Sequence, residues 1–173
     1  MDEFPYVQST FKQGVILGFG FCCYTILMWL TKLDTTYLSI GQYFDMGIIL
    51  LPIGIVFWAI GQEIKFYDLS VWDRIGIAIF VSFISYVIYD PFLYIYHNII
   101  NPTWYFSVIQ HKTNDMLLIG KTTAEIALEM ERTKSSLVAK SGLFRLSTFI
   151  PSVVVLPIVI AFLSLFFVRK ITT

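Results

Sequence analysis

The chain has 173 residues, 57% of them apolar or aromatic and only 14% charged, with twelve basic side chains balancing twelve acidic ones. A soluble domain carries about 45–50% apolar and about 25% charged residues, so this composition excludes an ordinary soluble fold and points to a membrane protein. Zero net charge, with no basic run, also excludes nucleic acid as a partner.

In chain order, gaps between charges locate the apolar runs. A spanning helix needs roughly 20 mostly apolar residues. The first run, residues 13–31, lies between Lys12 and Lys32. It contains adjacent Cys22 and Cys23, whose spacing suits neither a disulfide framework nor a zinc site. The second run, residues 46–62, is bracketed by Asp45 and Glu63. The third, residues 75–100, starts after Arg74 and includes Asp90, Pro91 and His97. The fourth, residues 146–168, lies between Arg145 and the Arg169-Lys170 stop. Tyr and Trp residues gather near the ends of these runs, where ring edges meet headgroups.

The insertion 101–145 carries six basic and four acidic residues. It reads as two amphipathic helices. Trp104, Tyr105, Val108 and Ile109 give the first an apolar face for the membrane surface. Gly120 ends it, and Thr122 with Glu125 forms a capping box for the second. Ile126, Met130 and Leu137 line that helix's apolar face, and Ser141-Gly142 ends it. The predicted fold is therefore all-α: one integral membrane domain, residues 1–173, with four transmembrane helices and a two-helix insertion between spans three and four.

Four spans put both termini on one side. Lys12, Lys65, Arg74, Arg169 and Lys170 sit there, against Lys32 and the six basic residues of the insertion opposite. The raw count does not favour cytoplasmic termini, but the five lie in much shorter segments, and by that density the termini are expected in the cytoplasm and the 101–145 insertion in the periplasm.

Two sets of residues stand out. Gly14 and Gly18 form a small-xxx-small pair, and Gly47, Gly54 and Gly61 recur every seven residues. Glycines let helix backbones approach, and the expected use is packing within the bundle, ahead of a dimer seam. On span three, Ser82, Tyr86, Asp90, Tyr94 and His97 draw one polar stripe. Asp90 lies sixteen residues beyond Arg74, about 24 Å along a helix rising ~1.5 Å per residue. An ionisable group within a span is costly and a functional candidate, so the stripe would face a cavity, a proton path or a partner helix. The plainer alternative is an interfacial Asp, solvated from the loop side, that ends or kinks the helix before Pro91. Pro52, Pro91, Pro151 and Pro157 are expected to break or bend three of the four spans, span four above all.

Catalytic signatures are missing. The chain has two histidines, no Cys/His set with ligand spacing, no phosphate-cradling glycine loop, no G-x-S-x-G and no H-E-x-x-H. No catalytic residue, cofactor or metal is therefore expected.

The helix end leading into Ile99-Ile100-Asn101-Pro102, the loop helix entered at Gly120-Lys121-Thr122-Thr123-Ala124-Glu125-Ile126, and Leu163-Ser164-Leu165 before Arg169-Lys170 resemble domain-of-unknown-function family 4199. That resemblance implies a small integral membrane protein of the Bacteroidota inner membrane, with no assigned activity. The functional reading that fits first is a non-enzymatic accessory or assembly subunit of a larger membrane complex, its partners the lipid bilayer and membrane-protein subunits or further copies of itself. A small transporter or channel component using the Asp90 stripe comes second, and a membrane-embedded enzyme on lipid-linked substrates third.

Overall fold

The computed structural model describes residues 7–140 and 142–169. Among them the chain is all-helical, with four helices long and apolar enough to cross a membrane. Helix α1 covers Val7–Leu30, α2 Leu38–Gly47, α3 Leu50–Glu63 and α4 Val71–Ile95, the last continuing as a π-helical turn Tyr96–Ile100. The insertion supplies α5 (Trp104–Leu118) and α6 (Thr123–Lys140). The last span is α7 (Leu146–Phe149), a π-helical segment Ile150–Val155, and α8 (Leu156–Phe167).

Spans two and three are longer than the charge brackets suggested. Span two runs Leu38–Glu63 and span three Val71–Ile100. A charge interrupts an apolar run without interrupting the backbone ladder, provided the charge finds a partner. Asp45 lies within α2 and accepts a 2.7 Å hydrogen bond from the Tyr24 hydroxyl of α1. Asp73 lies in the first turn of α4, where it completes a capping box with Ser70. Asp90 is therefore one of several charged residues inside the spans, rather than the only one.

Proline positions explain most irregularities. Pro52 has no N–H for the Ile48 carbonyl, which instead accepts from Leu51 at 3.0 Å, and the turn so formed separates α2 from α3. In span four, Pro157 cannot donate to Val153; between Pro151 and Pro157 the ladder widens, and the Leu156 N–H reaches the Pro151 carbonyl. Pro91 departs from expectation. It sits inside α4, which runs past it to Ile95 without a break.

The core joins α1, α3, α4 and α8 around Leu17, Val56, Ala59, Ile60, Ile77 and Ile160, all at most 1% exposed. Helices α1 and α4 run parallel and make the closest contact. A Cβ on Gly14 would lie 2.7 Å from Ile84 Cβ, and one on Gly18 would lie 2.9 Å from Ile88 Cβ, so the two glycines set the distance between these backbones. The heptad glycines of span two behave differently from the expectation. Added Cβ atoms on Gly47 and Gly54 would meet nothing within 4 Å, and one on Gly61 only Val168. The bundle meets the opposite side of span two, through Pro52, Val56, Ala59 and Ile60.

Arg74 fixes the other end of the bundle. It is 7% exposed, and its Nη1 donates to the carbonyls of Ser164 (2.9 Å) and Val168 (3.0 Å). A guanidinium placed on the last carbonyls of a helix also meets the negative end of the helix dipole.

In the insertion, α5 ends in a left-handed turn at Gly120 (φ 75°), and Lys121 N–H bonds back to Met116 O at 3.1 Å. The Thr122–Glu125 capping box forms, Glu125 Oε2 accepting from the Thr122 N–H at 2.9 Å. Met116 and Ile126 are buried between the two helices. Part of the α5 face expected on the membrane surface meets protein: Trp104 stacks on His97 with centroids 4.4 Å apart, and Val108 borders a groove with Leu38 and Leu137.

Candidate functional site

Helix periodicity places Ser82, Ser85, Tyr86, Tyr89 and Asp90 of α4 along one side, with Tyr94 and His97 a turn or two further. In the folded chain Ser82, Tyr86, Asp90, Tyr94 and His97 all border one cavity of about 250 Å³ between α1, α3, α4 and span four. Leu17 and Phe21 of α1, Pro52 of α3, and Thr148, Ser152 and Leu156 of span four complete its walls, with Gly142 at the edge. The close α1–α4 approach at Gly14 and Gly18 and the π-helical turn of span four lie on either side of this space.

Asp90 is 8% exposed. Its Oδ2 accepts a 2.7 Å hydrogen bond from the backbone N–H of Phe144, in the segment that leads from the insertion into span four. The solvated, helix-ending Asp of the simpler sequence reading is therefore not what forms: the helix continues, and the carboxylate lies beneath this segment. Phe144 has φ 49°, a left-handed conformation that disfavours a residue with a Cβ. Two contacts hold it: the carboxylate bond, and its ring against that of Tyr86, centroids 6.0 Å apart. Tyr86 also meets Phe149 edge-on at 5.3 Å, and its hydroxyl lies 3.3 Å from Thr148 Oγ1. Thr148 in turn donates to the Arg145 carbonyl at 3.0 Å. One carboxylate and one tyrosine of α4 thus fasten the start of span four.

The remaining walls are aromatic. Phe21 and Tyr89 lie with centroids 5.2 Å apart, and the Tyr89 hydroxyl sits 3.0 Å from Thr25 Oγ1. His97 lies between Trp104, stacked, and Tyr96, met edge-on at 5.4 Å. Tyr96 itself points away from the cavity: it is 4% exposed, donates its hydroxyl hydrogen to Asp34 in the α1–α2 turn, and accepts from Asn101 Nδ2 at 3.1 Å. Tyr94, at 44% exposure, and Ser152 form the open rim.

Of the residues singled out from sequence, Tyr86, Asp90, Tyr94 and His97 are brought together, Gly14 and Gly18 pack inside the bundle, and Gly47, Gly54 and Gly61 lie away from this site. Sequence reasoning missed Ser85, Tyr89, Thr148, Ser152 and Phe144. Thr148 and Ser152 are four apart on span four, a spacing that signals a shared face. Nothing local marks Phe144. Among the described residues no three His, Cys, Asp or Glu side chains come together as a metal site. No family model, curated protein or solved structure matches the chain.

An enclosed carboxylate, several hydroxyls and aromatic walls within one cavity can hold and orient a small molecule.

Proposed function

We propose that this protein is a non-enzymatic, multi-pass membrane protein that binds a small molecule within its bundle, as a small transporter or channel component. One observation carries the reading: the polar stripe around Asp90 borders a cavity within the bundle. An ionisable group kept at such a position is costly to hold there unless it is used. Two π-helical segments, one at the end of span three and one in span four, flank the same cavity, and such segments are frequent at functional sites. The short basic segments Lys12, Lys65, Arg74 and Arg169 support cytoplasmic termini with the insertion in the periplasm. The resemblance in the insertion and the final span supports a bacterial inner membrane.

The test is retention of a ligand. Protein purified in mild detergent from its native membrane should release a small molecule, detectable by mass spectrometry, that a cavity-filling Ser152→Phe variant has lost. Identical small-molecule content in the two proteins would count against the reading.

A second reading, an accessory subunit of a larger complex, is favoured by the apolar end of α5. Leu117, Leu118 and Ile119 are 54%, 85% and 71% exposed outside the spans. A stoichiometric partner protein copurifying with the chain would support it. A monodisperse homo-oligomer without partners would exclude it.

A further inference from the structure

We propose that the Asp90 cavity selects a small organic cation, a protonated or quaternary amine carrying a compact apolar body. The inference rests on the binding role given above and names the ligand class. Three features lead to it.

The first is charge. Among the fifteen residues that line the cavity, Asp90 is the one with a formally charged side chain, and it is an anion. Arg145, whose guanidinium packs against Gly142 at the edge, is not among the residues that line the space. One of the two Asp90 oxygens is engaged by the Phe144 N–H at 2.7 Å. A carboxylate accepts more than one such bond, so it retains capacity toward a cation.

The second is the wall. Phe21, Tyr86, Tyr89, Tyr94 and His97 present rings to the same space. Aromatic faces attract cations through the ring quadrupole, and the attraction strengthens where water is excluded. A carboxylate among several rings repels anions and gives neutral solutes no comparable gain. Leu17, Leu93, Leu156 and Pro52 supply the apolar floor for the ligand's body.

The third is size and access. A cavity of about 150 Å³ holds benzene, so one of about 250 Å³ admits roughly ten non-hydrogen atoms. The rim residues Tyr94 and Ser152, within spans three and four, are exposed, so the space opens on the outer face of the bundle.

Binding would also be felt outside the cavity. The carboxylate that meets the ligand is the one that holds Phe144 in its left-handed conformation, so a cation sharing that carboxylate lies against the start of span four.

The experiment uses the full-length protein in nanodiscs of zwitterionic lipid, with empty nanodiscs as background. Three probes of similar size are compared by equilibrium dialysis: benzyltrimethylammonium, the neutral alcohol 2-methyl-1-phenyl-2-propanol and p-toluenesulfonate. The expected result is saturable, one-to-one binding of the ammonium alone, at least tenfold weaker in Asp90→Asn and lost in Ser152→Phe. Asp90→Asn keeps an oxygen for the Phe144 N–H, and thermal melting checks that it folds. Ser152→Phe leaves Asp90 in place and reports whether binding is in the cavity, and the comparison of the three probes decides the ligand class even where Asp90→Asn unfolds. Equal binding of the ammonium to wild type and a folded Asp90→Asn overturns the cation assignment. So does binding of the alcohol or sulfonate as tight as that of the ammonium. If such binding is still lost in Ser152→Phe, the cavity remains a binding site for another ligand class. If no probe binds saturably, or none responds to Ser152→Phe, both the ligand class and the binding role fall.

Discussion

Replacing Gly14 or Gly18 by Ala should separate packing glycines from unpacked ones. The added Cβ at Gly14 would stand 2.7 Å from Ile84 Cβ and 3.0 Å from the Val81 carbonyl oxygen; at Gly18 it would stand 2.9 Å from Ile88 Cβ and 3.1 Å from the Ser85 oxygen. None of these neighbours is the free end of a flexible chain, so α1 and α4 must move apart. Overpacking of this kind costs typically 1–3 kcal/mol. A value of about 2 kcal/mol lowers the folded-to-unfolded ratio roughly 30-fold. Gly47→Ala and Gly54→Ala are the internal controls, since their Cβ atoms meet nothing within 4 Å. Alanine's helix propensity there should be neutral or stabilising by up to about 1 kcal/mol. Reversible denaturation in mixed micelles, followed by circular dichroism, reads all four variants on one scale. Equal stability of Gly14→Ala and Gly54→Ala would refute the assigned α1–α4 contact. A larger loss in Gly54→Ala than in Gly14→Ala would place the close approach at span two instead.

Further outcomes follow from other contacts. Arg74→Met removes the donor to the Ser164 and Val168 carbonyls and should cost about 1.5–3 kcal/mol, the range for hydrogen bonds involving a charged group, with faster proteolysis near Val168 as the local signature; unchanged cleavage would show that the end of α8 is held otherwise. Asp90→Ala deprives the Phe144 N–H of its acceptor, so amide exchange over residues 142–146 should accelerate while exchange in α1 stays constant. Thr122 hydrogen bonds hold the Glu125 carboxyl below its ordinary carboxylate range. Because the folded-state pKa is the lower one, the capping box stabilises α6 above the ordinary value of 4.5 and loses that contribution as pH falls through the depressed one, so exchange of the Thr122 and Glu125 amides should quicken only in that acidic window. Glu125→Gln, which can still accept from Thr122, should flatten the pH response.

Composition and the spacing of charges were enough to give an all-helical chain with four spans, because a bilayer interior demands long apolar helices and tolerates little else. The α5–α6 pair was equally legible, since Gly120 and the Thr122–Glu125 box act within one turn of chain. So was the polar stripe, because a helix fixes which residues share a side. Span ends were read short at Asp45 and Arg74, where distant partners, Tyr24 and Ser164, make the charge tolerable inside a helix. No local pattern reveals a partner 90 residues away. The same limit applies to the glycines: Gly14 and Gly54 look alike in sequence, and only the arrangement of helices makes one a contact and leaves the other open. It applies most to Asp90. Its position on α4 followed from helical periodicity, but its burial beneath Phe144 depends on where the insertion returns the chain to the bundle, and that is set by packing across the whole molecule.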